Sequence, residues 1–256
     1  MMNSRKGIYL LPNLLTTGAL FAGFYAIISA QMGHFEPACI AIFIAMVLDG
    51  LDGRVARMTN TASEFGKEYD SLSDMVSFGL APALIMFEWS LQHGVYEGWM
   101  LQRLGWLGAF FYTACAALRL ARFNSINSDL DRRYFQGLPS PAAAGLLVGF
   151  IWTSHDLGYT GGELWLMALF VTVIGGGLMV SRLSFYSFKD LALKNKVPTI
   201  TVLAVVGLFI LAAMDPPKLM FAVFLLYALS APLIHLLRMY RKRGRSQGAK
   251  APKNNK

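Results

Sequence analysis

Four aspartates carry the chemistry this sequence offers. Asp49 and Asp52 stand three residues apart, and Asp70 and Asp74 four apart, within the stretch DGLDGRVARMTNTASEFGKEYDSLSD. On a helix either spacing puts both side chains on one face. Two such faces brought together set four carboxylates against one another, an arrangement that repels unless cations neutralise it. Hard carboxylate oxygens suit Mg²⁺ or Mn²⁺, ions commonly shared between carboxylates and substrate phosphates. Gly53, directly after Asp52, lets a ligand approach the backbone. Arg57 adds a permanently charged fork of the kind that grips a phosphate. A plainer account is a salt-bridge network joining the acids to Arg54, Arg57 and Lys67. That account suits one aspartate well, but it suits four at this spacing, flanked by Gly53 and Gly66, poorly.

The elements that must position these residues are membrane spans. Of the 256 residues 55% are hydrophobic and 15% charged, and the mean hydropathy is +0.46. Soluble domains lie near 45–50% apolar and about 25% charged, so both values point to a membrane protein. Apolar runs long enough to span hydrocarbon, which takes roughly 20 helical residues, repeat down almost the whole chain. We expect an all-α polytopic protein with eight helices, at 9–30, 36–57, 68–91, 103–123, 139–155, 163–181, 198–214 and 218–238. Breaks fall at Gly33, Gly161-Gly162, Pro198 and Pro216-Pro217. The first apolar run reads as a retained helix rather than a signal peptide. The tail from Tyr240, rich in Arg and Lys, reads as disordered and held near anionic headgroups.

Charge placement orients the bundle. With both termini in the cytoplasm, Arg103 and Lys218 are the only outward-facing residues of the 23 Lys and Arg, as the positive-inside rule demands. The net charge of +8 then reflects topology and headgroup contact, and a nucleic-acid partner is not expected. The four aspartates fall on that cytoplasmic face, where carboxylates are less costly than at the bilayer centre but still need partners. Cys39 and Cys115 read as small core residues. His34, His93 and His155 lie on the outer side and His235 in the last span, so no histidine metal site is expected. Trp89, Trp99, Trp106 and Trp152 sit near outer boundaries like an aromatic belt, and Gly175-Gly176-Gly177 reads as a close-packing device.

The pattern Asp49-x-x-Asp52-Gly53-x-x-Ala56-Arg57, eight residues, Gly66, three residues, Asp70, three residues, Asp74 resembles the signature of the CDP-alcohol phosphotransferase family without a departure. The resemblance covers the first six helices. It implies a six-helix catalytic core over residues 1–190, two additional C-terminal spans over 191–239, a basic tail over 240–256, and a homodimer. Such enzymes displace CMP from a CDP-linked alcohol with a second alcohol. By the same resemblance Asp49, Asp52 and Asp70 bind a two-metal centre of Mg²⁺ or Mn²⁺. Asp74 would be a metal ligand and the general base, and Gly53, Arg57 and Ser63 would contact the CDP group together with Asp49. Paired metals clamping a pyrophosphate, with a carboxylate taking the attacking hydroxyl's proton, form a coherent set.

Strings outside the signature narrow the acceptor. LPNLLTTGALFAGF, DSLSDMVSFGLAPA, ALRLARFN, FQGLPSPAAA and SRLSFYSFKD resemble those of bacterial and archaeal type II phosphatidylserine synthases, which implies CDP-diacylglycerol and L-serine as substrates at a prokaryotic cytoplasmic membrane. In ALRLARFN, Arg119 and Arg122 lie three apart, level with the aspartates, where an arginine fork could hold the serine carboxylate; positive-inside anchoring is the plainer role for either. Arg132 and Arg133 read as topology determinants. Asn13 and Thr16 fall where the family places nucleotide contacts, helix capping after Pro12 being the alternative. Arg182 and Lys189 could hold serine or the lipid phosphate. Other readings are a family member using glycerol phosphate, inositol phosphate or choline, a divalent-cation transporter, and a lipid-binding scaffold.

Overall fold

The computed structural model describes residues 4–97, 99–125, 134–186 and 214–248. The chain opens with a helical hairpin of α1 (Ser4–Gln31) and α2 (Phe35–Met58). Gly33, at φ +79°, ends α1. Its N–H bonds Ala30 O at 2.9 Å and the His34 N–H bonds Ser29 O at 2.8 Å, the paired bonds of a Schellman stop that needs a left-handed residue. The two helices lie close because their shared face is made of small residues: Ala19, Ala22, Ala26 and Ala30 on α1, and Ala38, Cys39, Ala41 and Ala45 on α2, are all buried. Both cysteines are buried and free.

A second stop of the same kind turns the chain beneath the aspartates. Asn60 takes φ 52°, with Asn60 N bonding Arg57 O and Thr61 N bonding Ala56 O. Asn is the residue after Gly that best tolerates this geometry. Ser63 then caps α3 (Glu64–Asp74), accepting from Gly66 N at 3.0 Å. The helix runs on through a wider π turn, Met75–Leu80, into α4 (Ala81–Trp89), giving one rod over Glu64–Trp89. Pro82 accounts for the wide turn: it has no N–H for the Phe78 carbonyl four residues back. The Ala81 N–H bonds Val76 O instead, and the buried Tyr112 hydroxyl donates to Phe78 O at 3.0 Å.

A short 3₁₀ segment, Leu91–Glu97, leads to α5 (Trp99–Ser125). Then come α6 (Ser140–Asp156), α7 (Trp165–Val180) and α8 (Pro216–Gly248). Residues 142–151 of α6 are all buried, so α6 is the axis of the bundle, wrapped by α2, α4, α7 and α8. Its Gly145 and Gly149 let α8 settle against it: a Cβ at Gly149 would stand 3.0 Å from Phe221 Cα, and one at Gly145 2.7 Å from the Phe224 ring. Among the described residues, four helices are long and apolar enough to cross a membrane, at Leu11–Gln31, Glu64–Trp89, Trp99–Ser125 and Pro216–His235. The α7 helix is apolar but shorter, and α2 carries Asp49, Asp52, Arg54 and Arg57 towards its end. The fold is that of an all-α membrane protein.

Several details depart from the sequence reading. Pro12 lies inside α1 rather than at its start, because the helix begins at Ser4; Asn13 is therefore not a cap. Trp89 is 3% exposed and meets Phe150 edge-on, while Trp152 packs beside Phe43. Of the four expected belt residues only Trp99 and Trp106 point outward. Gly175 and Gly176 do face close neighbours, Leu147 on α6 and Phe111 and Tyr112 on α5, but Gly177 has open space. The helical backbone of α8 continues through Gly248. A two-stranded antiparallel ribbon, β1 (Tyr134–Gln136) with β2 (Ser184–Tyr186), was not anticipated. Gly137 follows it at φ +81°, where a Cβ would lie 2.1 Å from Met179 O. The expected seventh span, Lys189, Arg132 and Arg133 lie outside the described residues.

Candidate active site

The end of α2 and the length of α3 bring the aspartates together. One carboxylate oxygen from each of Asp49, Asp70 and Asp74 lies within 4.8 Å of the others. Asp52, one turn beyond Asp49, is 5% exposed and turns towards α1, where the Thr16 hydroxyl stands 2.6 Å from Oδ2. That hydroxyl also lies 3.1 Å from Pro12 O, but its single proton favours the charged acceptor. Asp52 remains within the electrostatic reach of Asp49 and Asp70. Three of the four expected carboxylates thus form a triad, and the fourth borders it from a hydrogen-bonded seat.

α1 braces this arrangement from behind. Ser73, next to Asp74, donates to Thr16 O at 3.2 Å, and Ser77, one turn on, donates to Ala19 O at 3.1 Å. A Cβ on Gly23 would stand 2.8 Å from Ser77 Cα, which shows how near the two backbones run. Tyr69 adds a hydroxyl contact to Thr17 at 2.9 Å. The π turn beginning at Met75 directly follows Asp74, a distortion often found at functional sites.

The remaining expected residues fall into two groups around the triad. Arg57 is exposed and reaches Asp52 through its field. A Cβ on Gly53 would meet nothing nearer than Arg57 Nη1 at 3.6 Å, so packing within the chain does not require glycine there. Asn13 and Ser63 sit near each other over Gly66, whose Cβ would lie 3.1 Å from Ser63 Oγ and 3.5 Å from Asn13 Oδ1. On the other side, Arg119 donates from Nη1 to the fully buried Ser140 hydroxyl at 2.8 Å and lies in the field of Asp74. Arg122 donates to Val180 O at 3.4 Å, and Arg182 is exposed.

Sequence reasoning missed Thr17, Tyr69, Ser73, Asn124 and Ser140. Asn124 Nδ2 donates to Ser71 Oγ at 3.0 Å, tying the end of α5 to the outer face of α3. Asn124 and Ser140 both occur in strings already singled out, ALRLARFN and FQGLPSPAAA, and that was the available signal.

The donor set fits divalent cations. Among the described residues no ion pair joins Arg54, Arg57, Lys67 or Arg119 to the four aspartates, which removes the salt-bridge account. Asp70 Oδ1 is buried with no hydrogen-bond partner. A buried carboxylate oxygen without a donor is costly unless something positive meets it, and an all-oxygen triad suits a hard divalent cation.

Comparison with known proteins agrees with this chemistry. The CDP-alcohol phosphatidyltransferase family matches residues 9–174, and the chain belongs to that family. Among its relatives is a protein named CDP-diacylglycerol–serine O-phosphatidyltransferase from Helicobacter pylori, 35% identical over 222 residues, covering 87% of this chain and 90% of the relative. Proteins of the same name from Mycobacterium leprae and Bacillus subtilis are 32% and 34% identical. They cover 87% and 72% of this chain, and 74% and 94% of their own lengths.

Proposed function

We propose that the protein transfers the phosphatidyl group of CDP-diacylglycerol to the hydroxyl of L-serine, releasing CMP and forming phosphatidylserine. The observation that carries the reading is the Asp49–Asp70–Asp74 triad with its unpartnered Asp70 oxygen, in a chain whose relatives bear that enzyme's name.

Asp49, Asp52, Asp70 and Asp74 would hold two Mg²⁺ or Mn²⁺ ions, which when bound neutralise the diphosphate and the charge developing on the leaving CMP. Thr16 orients Asp52 for that role. Asn13, Gly53, Arg57 and Ser63, with Asp49, line the place for the CDP group, while the acyl chains remain among the helices. Asp74 accepts the proton of the serine hydroxyl. The serine oxygen forms its bond to the β-phosphorus as the bond from that phosphorus to the oxygen of CMP breaks. Arg119, Arg122, Arg182 and Lys189 are the cations available to an acceptor carboxylate or a lipid phosphate.

The reading includes eight spans with residues 1–190 as the catalytic unit, 191–239 as added spans and 240–256 as a basic tail. It also includes both termini and the site on the cytoplasmic face, and a homodimer. The charge asymmetry of the sequence supports the orientation. The test is CMP release by purified protein in micelles of CDP-diacylglycerol with Mn²⁺ or Mg²⁺. The expected result is release that requires serine and stops with EDTA. Release with glycerol phosphate, inositol phosphate or choline but not with serine would keep the chemistry and overturn the acceptor.

A further inference from the structure

We propose that Ser140 is a positioning residue that fixes Arg119 as the fork receiving the carboxylate of the amino-acid acceptor. This rests on the serine reading above and assigns the specificity of the same site to one pair of residues.

The three described arginines on this side of the triad are not equivalent. Arg122 gives Nη1 to the Val180 carbonyl, one of the C-terminal carbonyls of α7 that no helical N–H can reach. Arg182 is exposed. Arg119 alone among them lies in the field of Asp74. On α5 it stands seven residues after Tyr112, on the same helix face, directed towards the π turn and the triad rather than the lipid.

Its hydrogen bonds are incomplete in an informative way. Nη1 is committed to Ser140, whose side chain is 0% exposed and cannot turn to water. Nε is buried and has no partner. No carboxylate of the chain forms an ion pair with Arg119 among the described residues. A half-buried guanidinium whose buried Nε goes unfilled is costly, and with Nη1 held by Ser140 the edge left open is the Nε–Nη2 side, which matches a carboxylate or phosphate bidentately. Ser140 also opens α6, whose N-cap position, Pro139, supplies no side-chain cap, so the helix's positive end adds to the same spot. Reach decides between the two anions. In serine only two carbons separate the hydroxyl from the carboxylate, so a hydroxyl placed at Asp74 brings its carboxylate close by. The lipid phosphates have the metal ligands and Arg57 on the other side.

Kinetics with L-serine and with ethanolamine, which has the amine and hydroxyl but no carboxylate, separate the possibilities. For Ser140→Ala the serine KM should rise about tenfold to a hundredfold, the range for losing an oriented charged hydrogen bond. Turnover at saturating serine and the KM for CDP-diacylglycerol should stay within a few-fold, and Ser140→Thr should restore the serine KM. Arg119→Gln should erase the preference for serine over ethanolamine. If Ser140→Ala does not fold, Arg119→Lys, which keeps the charge and loses the side edge, should raise the serine KM in its place. An unchanged serine KM in both Ser140→Ala and Arg119→Lys overturns the assignment, as does a rise confined to the CDP-diacylglycerol KM, which would hand Arg119 to the lipid phosphate. Equal loss of turnover with both acceptors, with discrimination intact, reduces the pair to a structural role and overturns it too. A wild-type protein that uses no serine overturns the serine reading as well; the other contrary outcomes overturn this inference alone.

Discussion

Replacing Thr16 by valine removes one hydroxyl and little else, at a place where the structure makes that hydroxyl matter. Thr16 is 4% exposed and Asp52 5%, and 2.6 Å separates the hydroxyl from the carboxylate. Water cannot take over the bond at that burial. A hydrogen bond to a charged group contributes about 1.5–3 kcal/mol, a factor of roughly ten to a hundred or more in any equilibrium that depends on it. Removing the partner of a metal-binding carboxylate costs about 10–100-fold in metal affinity. If Asp52 helps to hold a metal, Thr16→Val should therefore raise the Mn²⁺ or Mg²⁺ concentration giving half-maximal CMP release by about that factor. Turnover at saturating metal should be largely kept, and Thr16→Ser should behave like the wild type. The assay is a metal titration of CMP release after chelator treatment and re-addition. A superimposable metal curve with a raised KM for CDP-diacylglycerol would refute the reasoning, because it would make Thr16 a nucleotide contact and leave Asp52 independent of it.

Asp74→Asn keeps the size of the side chain and removes its basicity, so turnover should collapse while binding of CDP-diacylglycerol, measured by equilibrium dialysis with labelled lipid, largely survives; near-normal turnover would remove Asp74 from the base role. Tyr112→Phe deletes the donor to Phe78 O in a fully buried place and should cost about 1–3 kcal/mol of stability, read as a lower unfolding temperature in detergent. Gly137→Ala puts a Cβ 2.1 Å from Met179 O at φ +81° and should abolish the monodisperse protein peak on size-exclusion chromatography, whereas Gly177→Ala, which meets open space, should not.

The aspartate triad was legible in the sequence because helical spacing alone decides which side chains share a face. Asp49 on α2 and Asp70 and Asp74 on α3 needed only a short turn between their helices to meet. The turn residue, Asn60, was overlooked although Asn is a known left-handed former. Gly33 was legible for the same local reason. What escaped was set by contacts distant in sequence. The π turn depends on Pro82, a local signal, but also on Tyr112 arriving from α5 to take the freed carbonyl. The ribbon joins Tyr134–Gln136 to Ser184–Tyr186, strings noted separately whose three-residue strands leave no periodicity to read. The last helix was expected as an addition to a six-helix core. In the structure it packs on α6 through Gly145 and Gly149, and its Tyr227 ring meets Phe185 at a tilt within the field of Arg119. Nothing in an apolar run says which of its faces meets a partner and which meets lipid, and for the same reason Trp89 and Trp152, which pack inward, were read as belt residues.

The central claim is that a serine hydroxyl becomes the phosphodiester oxygen of a new lipid at this site. The most direct measurement supplies purified protein with CDP-diacylglycerol, Mn²⁺ and L-serine carrying ¹⁸O in its hydroxyl, and follows the lipid product by mass spectrometry. The account predicts phosphatidylserine that retains the label, formed in step with CMP and absent in EDTA. Unlabelled phosphatidylserine, or CMP released with phosphatidic acid as the only lipid product, would contradict it.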